Sequence, residues 1–308
     1  MGSSDYLHPG KLFVAQYGQV TDGSGVIRYA EFLRRESSLS DEPPIDLTPI
    51  FRRFGISIPK RISLPGQSGL LMNPDHGIIF ISSDDPATRQ RFSEAHELIE
   101  LLFAAQSSAP SWSSRGRKLF SDEAKEKLCE EGAAELLMPL STFVPYVHQW
   151  GVSLETGQRL AELYGVSLTA ALLRAVRFGS GQHALVLWKL AWKPKEEKAL
   201  PCSDQLPLFE DYTPQPPPQK LRVRWGSSTQ GGPFIPPHKS VEFDTSIYQS
   251  YEQGSVTKSM DWVDLGTFCG YCFCESMAIT LGTERHVLSV IHLPKDEHSV
   301  SSRQSVGI

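Results

Sequence analysis

The segment from Arg91 to Phe103, RFSEAHELIELLF, constrains the chain more than any other part of the sequence. Its apolar residues recur at intervals of three and four, which predicts an amphipathic helix. His96 and Glu100 are four residues apart, so a helix places them one turn apart on one face, where both side chains can reach one metal ion. Glu97 follows His96 directly and is suited to act on water at that ion. The segment therefore predicts a metal site built on a helix.

The pattern His-Glu-x-x-Glu differs at one position from the His-Glu-x-x-His signature of zinc peptidases. Glu100 stands where that signature has its second histidine. A carboxylate is also a metal ligand, but its negative charge weakens the effect of the ion on the acidity of bound water. An oxygen-rich ligand set also shifts the preference from zinc towards manganese or iron. We expect either slow or conditional peptide hydrolysis, or a protein that has kept the peptidase fold without the catalytic activity.

A peptidase site of this kind needs one more ligand from outside the first helix. The segment from Asp122 to Met138 has helical periodicity and contains several glutamates. The row of Glu126, Cys129 and Ala133 lies along one edge of the apolar side of this helix. Spacing alone therefore ranks Glu126 first as the further ligand and Glu130 second.

The two helical segments together resemble the ImmA/IrrE family of metallopeptidases. Members carry a helix of the type RF-x-x-AHE-x-x-H and a second helix of the type E-x-x-CN-x-x-AAELLMP, and the segments here read RFSEAHELIELLF and EKLCEEGAAELLMP. The second match is the more specific one, and the resemblance spans residues 26–178. It places His96 on the first metal ligand of the family, Glu97 on its catalytic glutamate and Glu126 on its third metal ligand. Glu100 departs from the family at the second ligand.

The resemblance implies a zincin-like fold, a divalent metal and peptidase activity. Zinc is the expected ion, with manganese or iron as alternatives because of Glu100. Family members are cytoplasmic proteins of bacteria and phages, and characterised ones cleave helix-turn-helix repressors to release stress or mobile-element genes. The resemblance therefore implies a metal-dependent endopeptidase with a protein substrate of that kind. The alternative is a weakened or inactive member that binds a regulatory partner through the same groove.

A short apolar run from Gly77 to Ser82 predicts a β-strand that leads directly to the first helix. Extended peptides often bind by adding a strand to a sheet. We therefore expect the substrate to lie along Ile79, Phe80 and Ile81. His76, in the turn before this strand, is a weaker candidate for contact with the transition state.

Residues 152–178 predict two helices joined at residues 165–167, a pattern typical of a helix-turn-helix. The basic residues of the second helix are Arg174 and Arg177, near its end rather than at the start that reads a DNA groove. We therefore expect packing or substrate docking rather than direct DNA binding. A transcription factor remains the third class, and it would show salt-dependent binding to duplex DNA.

The sequence predicts an α+β protein with a zincin-like metallopeptidase domain, a helix-turn-helix-like helical module and a C-terminal β-rich domain. Within the last domain, Cys272 and Cys274 alternate inside an apolar strand pattern, which predicts buried thiols rather than a zinc site. The predicted divisions are a disordered leader at 1–25, the metallopeptidase-like domain at 26–145, the helical module at 146–180, a strand and Pro-rich linker at 181–219, the β-rich domain at 220–293 and a disordered tail at 294–308.

Composition excludes several other classes of protein. The formal net charge of −5 argues against a protein that coats nucleic acid. The sequence contains no apolar run long enough to span a bilayer, and its N-terminus lacks the basic start and apolar core of a signal peptide. Five cysteines, an odd number, argue against a disulfide framework. We therefore expect a cytoplasmic protein with no membrane partner.

Overall fold

The computed structural model describes residues 6–107, 120–198 and 217–294. The chain divides into two compact units. The first lies within residues 1–149 and 157–171, and the second within residues 150–156 and 172–308. In the described ranges, no helix combines the length and the apolar character needed to cross a membrane.

The first unit combines helices with a small three-stranded sheet. The sheet has the strand order β1-β3-β2, in which β1 runs parallel to β3 and β2 runs antiparallel to it. Its elements are α1 (Pro9–Tyr17), α2 (Gly23–Glu36), α3 (Thr48–Phe54), β1 (Lys60–Ile62), β2 (Gly69–Asn73), β3 (Ile78–Ser82), α4 (Ala87–Ser107), α5 (Asp122–Leu137) and α6 (Leu140–Trp150).

Helices α2, α4 and α5 pack against one another in the core of the first unit. Gly132 on α5 lies at the point where they meet. A Cβ atom there would lie 2.5 Å from Cγ1 of Val26 and 2.9 Å from Cγ2 of Ile99. Because only a glycine lets the helices approach this closely, Gly132 fixes the position of α5 relative to α4.

Arg34 ties α2 to the end of α5. Its side chain is only 3% exposed, and Nη1 donates a hydrogen bond of 2.7 Å to the carbonyl oxygen of Glu135. Nη2 lies 3.4 Å from Oε1 of the same residue, and Nε lies 2.8 Å from Oδ1 of Asp41. The Glu135 carboxylate also accepts a hydrogen bond from the backbone of Leu140. The glutamate of the AAELLMP segment is therefore structural.

Helix α1 lies in the segment that we expected to be a disordered leader. Phe13 is fully buried, with its ring centroid 5.2 Å from that of Tyr29 and 5.4 Å from that of Phe32. The prediction is therefore wrong for residues 9–17. A helix this short shows little periodicity of its own, and its packing against the helices that follow decides its structure. Residues 1–5 of the predicted leader lie outside the described ranges.

The second unit contains a five-stranded antiparallel sheet with the order β5-β4-β8-β7-β6. Helix α10 packs on the sheet, and Trp188 is fully buried in the shared core. The elements are β4 (Gln182–Ala191), α9 (Pro194–Lys198), β5 (Lys220–Ser228), α10 (Ser246–Gln253), β6 (Thr257–Asp264), β7 (Cys269–Leu281) and β8 (Glu284–Leu293).

Strand β4 belongs to this sheet, because it pairs with both β5 and β8. The predicted division, which grouped this strand with the linker at 181–219, is therefore wrong. Pairing joins segments far apart in sequence, so the composition of the intervening linker cannot show it. The rest of that linker at 199–216 and the predicted tail at 295–308 lie outside the described ranges.

The segment predicted as a helix-turn-helix forms two helices, α7 (Leu154–Tyr164) and α8 (Leu168–Phe178). Gly165 between them has a positive φ of 63°, a backbone conformation that glycine adopts easily. Residues 146–180 divide between the two units rather than forming a unit of their own. A helix-turn-helix role for this segment stays a prediction.

Cys272 and Cys274 are buried in the core of the second unit, as predicted. Cys274 pairs in register with Ile291 of β8, while Phe273 pairs with His292. Because side chains alternate between the two faces of a sheet, His292 lies on the face opposite both cysteines. The arrangement gives these thiols a packing role.

Candidate metal centre

Helices α4 and α5 bring His96 close to Glu126, although the Glu126 side chain is 62% exposed. The described ligand atoms that all lie within 4.8 Å of one another belong to His96, Glu100 and Cys129. His96 and Glu100 share one face of α4, and Nε2 of His96 lies 3.7 Å from Oε1 of Glu126 on α5. A tetrahedral ion with bonds of about 2.1 Å holds its ligand atoms roughly 3.4 Å apart. The separation between His96 and Glu126 is therefore close to that of two ligands on one ion.

The start of α5 is set by a helix cap. Oγ of Ser121 accepts a hydrogen bond of 3.1 Å from the backbone N–H of Ala124, and two acidic residues follow in the first turn. Both features stabilise a helix N-terminus. This cap fixes where Glu126 lies along α5, and so which residue of the helix meets His96.

Cys129 adds a third type of donor atom to the centre. Ligand atoms of His96, Glu100 and Cys129 all lie within 4.8 Å of one another, and Sγ of Cys129 lies 3.9 Å from Oε2 of Glu100. Burial, followed by the negative charge of Glu100, raises the pKa of the Cys129 thiol. Sequence reasoning placed Cys129 in the row with Glu126 but did not count it as a donor. Its position one turn beyond Glu126 was the signal available for that role.

Lys125 forms an ion pair with Oε1 of Glu100, and both side chains are partly buried. Burial is the largest single effect and lowers the pKa of the Lys125 ammonium, but the hydrogen bond to Glu100 and the charges of Glu100, Cys129 and Glu126 together outweigh it, so the pKa is raised. Sequence reasoning missed this pair because it joins residues on two different helices. One imidazole nitrogen, carboxylate oxygens and a sulfur are donors that divalent transition metals accept, so the residues fit such an ion.

Glu97 lies beside β2 and is only 6% exposed. Burial, followed by the charge of Glu100, raises the pKa of Glu97 to about 8, although a hydrogen bond from the backbone of Leu71 acts in the opposite direction. Gly69 on β2 leaves room for this carboxylate, because a Cβ atom there would lie 2.6 Å from Oε1 of Glu97. The sequence pattern gave no sign of this contact with β2.

Gly69→Ala is expected to displace the Glu97 carboxylate. The added methyl group meets the end of a flexible side chain rather than the backbone, so the side chain can move and the fold should tolerate the change. If the chain has the peptidase activity that the sequence predicts, Gly69→Ala should slow cleavage about tenfold or more with little loss of stability, since misplacement of a reacting group is costly. Cleavage rates and melting temperatures of the variant and the wild type test this. An unchanged rate would contradict the position assigned to Glu97.

The structure corrects the expected substrate contacts at Ile79, Phe80 and Ile81. Strand β3 is the central strand of its sheet and pairs with both β1 and β2, and Ile79 and Ile81 are buried. A peptide cannot add to a strand whose two edges are already paired. Among the described strands, the edge that reaches Glu97 belongs to β2. His76 is exposed in the 3-10 helix between β2 and β3, and its role stays a prediction.

Helices α4 and α5 both lie in a segment that matches a known family. Residues 51–176 match the model described as Peptidase_M78, IrrE N-terminal-like domain. Residues 51–176 belong to the ImmA/IrrE family. The ImmA/IrrE family is one of metallopeptidases, so the match implies a zincin-like fold and a divalent metal for this segment.

Two curated proteins resemble the ImmA/IrrE segment, and both are named radiation response metalloprotease IrrE. The protein of Deinococcus deserti is 35% identical over 113 residues, which cover 35% of this chain and 38% of that protein. The protein of Deinococcus radiodurans is 28% identical over 164 residues, which cover 52% of this chain and 46% of that protein. The chain thus spans less than half the length of either relative.

A solved structure, described as a Mycobacterium tuberculosis transcriptional regulator, also resembles the chain. The TM-score is 0.51 at 12% sequence identity, and the match covers 92% of this chain and 80% of the other. At this level of identity the likeness concerns the fold alone.

Proposed function

We propose that the chain is a metal-dependent endopeptidase whose metal is held by His96, Glu100 and Glu126, with zinc as the first expectation and manganese or iron as alternatives. The observation that carries the proposal is the 3.7 Å separation between His96 Nε2 and Glu126 Oε1 on two different helices. Glu100 and Glu97 are on the same helix as His96. The Glu100 carboxylate faces Cys129 of α5, and the Glu97 carboxylate lies beside Gly69 of β2.

Glu97 is the proposed general base. When bound, a divalent metal supplies Lewis acidity at this centre. Glu97 accepts the proton of the attacking water and returns it to the amine of the departing peptide. Its burial beside β2 limits the access of bulk water to this proton transfer.

The proposed substrate is an extended peptide segment that adds to the edge of β2. Backbone hydrogen bonds at that edge would hold the peptide, since strand addition uses unpaired main-chain groups. The backbone of Leu71 already donates a hydrogen bond to Glu97, so a peptide at this edge lies beside the proposed base. We propose a helix-turn-helix repressor as the protein substrate, with its cleavage releasing stress or mobile-element genes.

We propose that helices α7 and α8 form a helix-turn-helix-like region that docks the substrate rather than DNA. Arg174 is buried, with its guanidinium carbon 5.3 Å from the centre of the Phe178 ring, and so is a poor phosphate contact. The net charge of −5 also supports a role away from nucleic acid. A cytoplasmic location remains part of the proposal.

A second candidate is a weakened or inactive member that regulates a partner by binding alone. The observation that favours it is the ion pair between Lys125 and Glu100, which already neutralises the altered ligand. Under this alternative, a partner peptide binds at the edge of β2 and leaves intact.

Incubation with purified repressors separates the two candidates. The full chain, loaded in turn with zinc, manganese or iron, is mixed with a panel of helix-turn-helix repressors, and the products are identified by mass spectrometry. Endopeptidase activity predicts a defined cut in at least one repressor, and a chelator should stop it. A repressor that binds but stays whole with every metal would favour the regulator. An unrelated folded protein serves as the control substrate.

A further inference from the structure

Lys125 is the one cation whose ion pair with a proposed metal ligand is evident among the described residues. Its ammonium group pairs with Oε1 of Glu100, while Oε2 of the same carboxylate faces Sγ of Cys129 at 3.9 Å. Both oxygens of Glu100 are therefore engaged by groups of α5. A metal that uses Glu100 as a ligand meets a positive charge already in place.

Two arrangements are open to a divalent ion at this carboxylate, and both are opposed by Lys125. Either the ion displaces the ammonium from Glu100, or it binds the remaining oxygen with the ammonium close by. The first loses an ion pair, and the second brings like charges together where partial burial reduces screening. We propose that Lys125 competes with the metal for Glu100 and so sets a low metal affinity. This inference rests on the proposed function, because it takes Glu100 as a ligand.

The ion pair between Lys125 and Glu100 also affects the net charge at the position where the peptidase signature has its second histidine. A carboxylate paired with an ammonium carries no net charge, like the neutral imidazole that the metallopeptidase signature has at this position. While this ion pair is intact, the centre has the same charge as it would have with a histidine ligand. Its affinity for the metal then depends on how firmly Lys125 holds Glu100. Metal occupancy becomes a property that small changes at Lys125 can alter.

Helix α5 offers a matched control for this charge. Lys127 is two residues further along and forms an exposed ion pair of 2.8 Å with Glu123. Lys127→Met removes the same charge from the same helix as Lys125→Met, but at its solvent-facing side. A difference in zinc affinity between the two variants is therefore caused by the contact of Lys125 with Glu100 and not by the net charge of the chain.

The test is the dissociation constant for zinc, measured by competition with a chromophoric chelator on the metal-stripped full chain. We expect Lys125→Met to bind zinc about tenfold more tightly than the wild type, and Lys127→Met to stay within roughly twofold of it. Circular dichroism and thermal melting show whether each variant is folded. If Lys125→Met does not fold, Lys125→Gln, which keeps a polar end in the partly buried position, takes its place.

A double-variant cycle tests whether Lys125 acts through Glu100. In the Glu100→His background, Lys125→Met is expected to increase zinc affinity by less than about threefold, because the carboxylate that Lys125 holds is gone. An equal gain in both backgrounds would show that Lys125 acts as a distant charge, and would overturn the inference.

The remaining outcomes separate the inference from the proposed function. If the wild type binds zinc and Lys125→Met binds it equally well or more weakly, the inference fails while the metal centre stands. If neither the wild type nor any of the variants binds zinc, manganese or iron, the metal-dependent function and the inference fail together.

Discussion

Glu97→Gln is expected to slow peptide cleavage by about a hundredfold or more and to leave metal binding in place. Glutamine keeps the shape of the side chain, and its amide oxygen can still accept the hydrogen bond from the backbone of Leu71. It cannot take a proton from water, so the proposed general base is lost without loss of the fold. Cleavage under single-turnover conditions, with metal content measured on the same samples, gives the result.

The control for this variant is Glu94→Gln. Glu94 is on the same helix, is also largely buried, and pairs with Arg61 at 2.7 Å rather than with the metal ligands. We expect it to affect stability more than cleavage. If Glu97→Gln cleaves at the wild-type rate, peptidase chemistry at this glutamate is ruled out, and the regulator becomes the better account.

Arg34→Met is expected to destabilise the first unit by about 3–5 kcal/mol. The substitution leaves the buried carboxylate of Glu135 without its guanidinium partner, and it removes the hydrogen bond of 2.7 Å to the carbonyl oxygen at the same position. A buried carboxylate that loses an ion-pair partner costs more than an exposed one that does. Urea unfolding followed by circular dichroism measures the change.

Arg53→Met is the matched control, since it breaks an ion pair of 3.2 Å between Arg53 and Glu36 that is partly exposed. Exposed pairs of this kind contribute about 0–1 kcal/mol. If the two arginine variants lose similar amounts of unfolding free energy, the Arg34–Glu135 pair does not hold α2 and α5 together.

The two helices of the centre could be predicted because their signals are local. Helical spacing puts His96 and Glu100 on one face whatever the rest of the chain does. The row through Glu126 similarly follows from α5 alone, and the match of residues 51–176 to the family bears out the origin of both segments. The contacts of Lys125 and Cys129 with Glu100 depend on how α4 and α5 pack, which no local pattern encodes.

The pairing of the strands, unlike the two helices of the centre, could not be predicted from local signals. The apolar run from Gly77 to Ser82 predicted a strand, and the structure has one at Ile78–Ser82, yet the neighbours of this strand in the sheet decide whether a peptide can bind there. Strand β2 begins at a glycine and has weak alternation, so the sequence did not predict the strand that lies against Glu97. Strand β4 was likewise predicted as a strand but assigned outside its sheet, because strand order depends on pairing over long distances.

Zinc titration of the metal-stripped full chain tests the central claim, that α4 and α5 together hold a metal. The account predicts one bound ion per chain in the wild type and in Glu130→Gln, an exposed position one turn further along α5. Glu126→Gln should bind about tenfold more weakly or worse, since it removes the ligand beside His96. A wild-type chain that binds no stoichiometric metal, or a Glu126→Gln variant that binds it as the wild type does, would contradict the account.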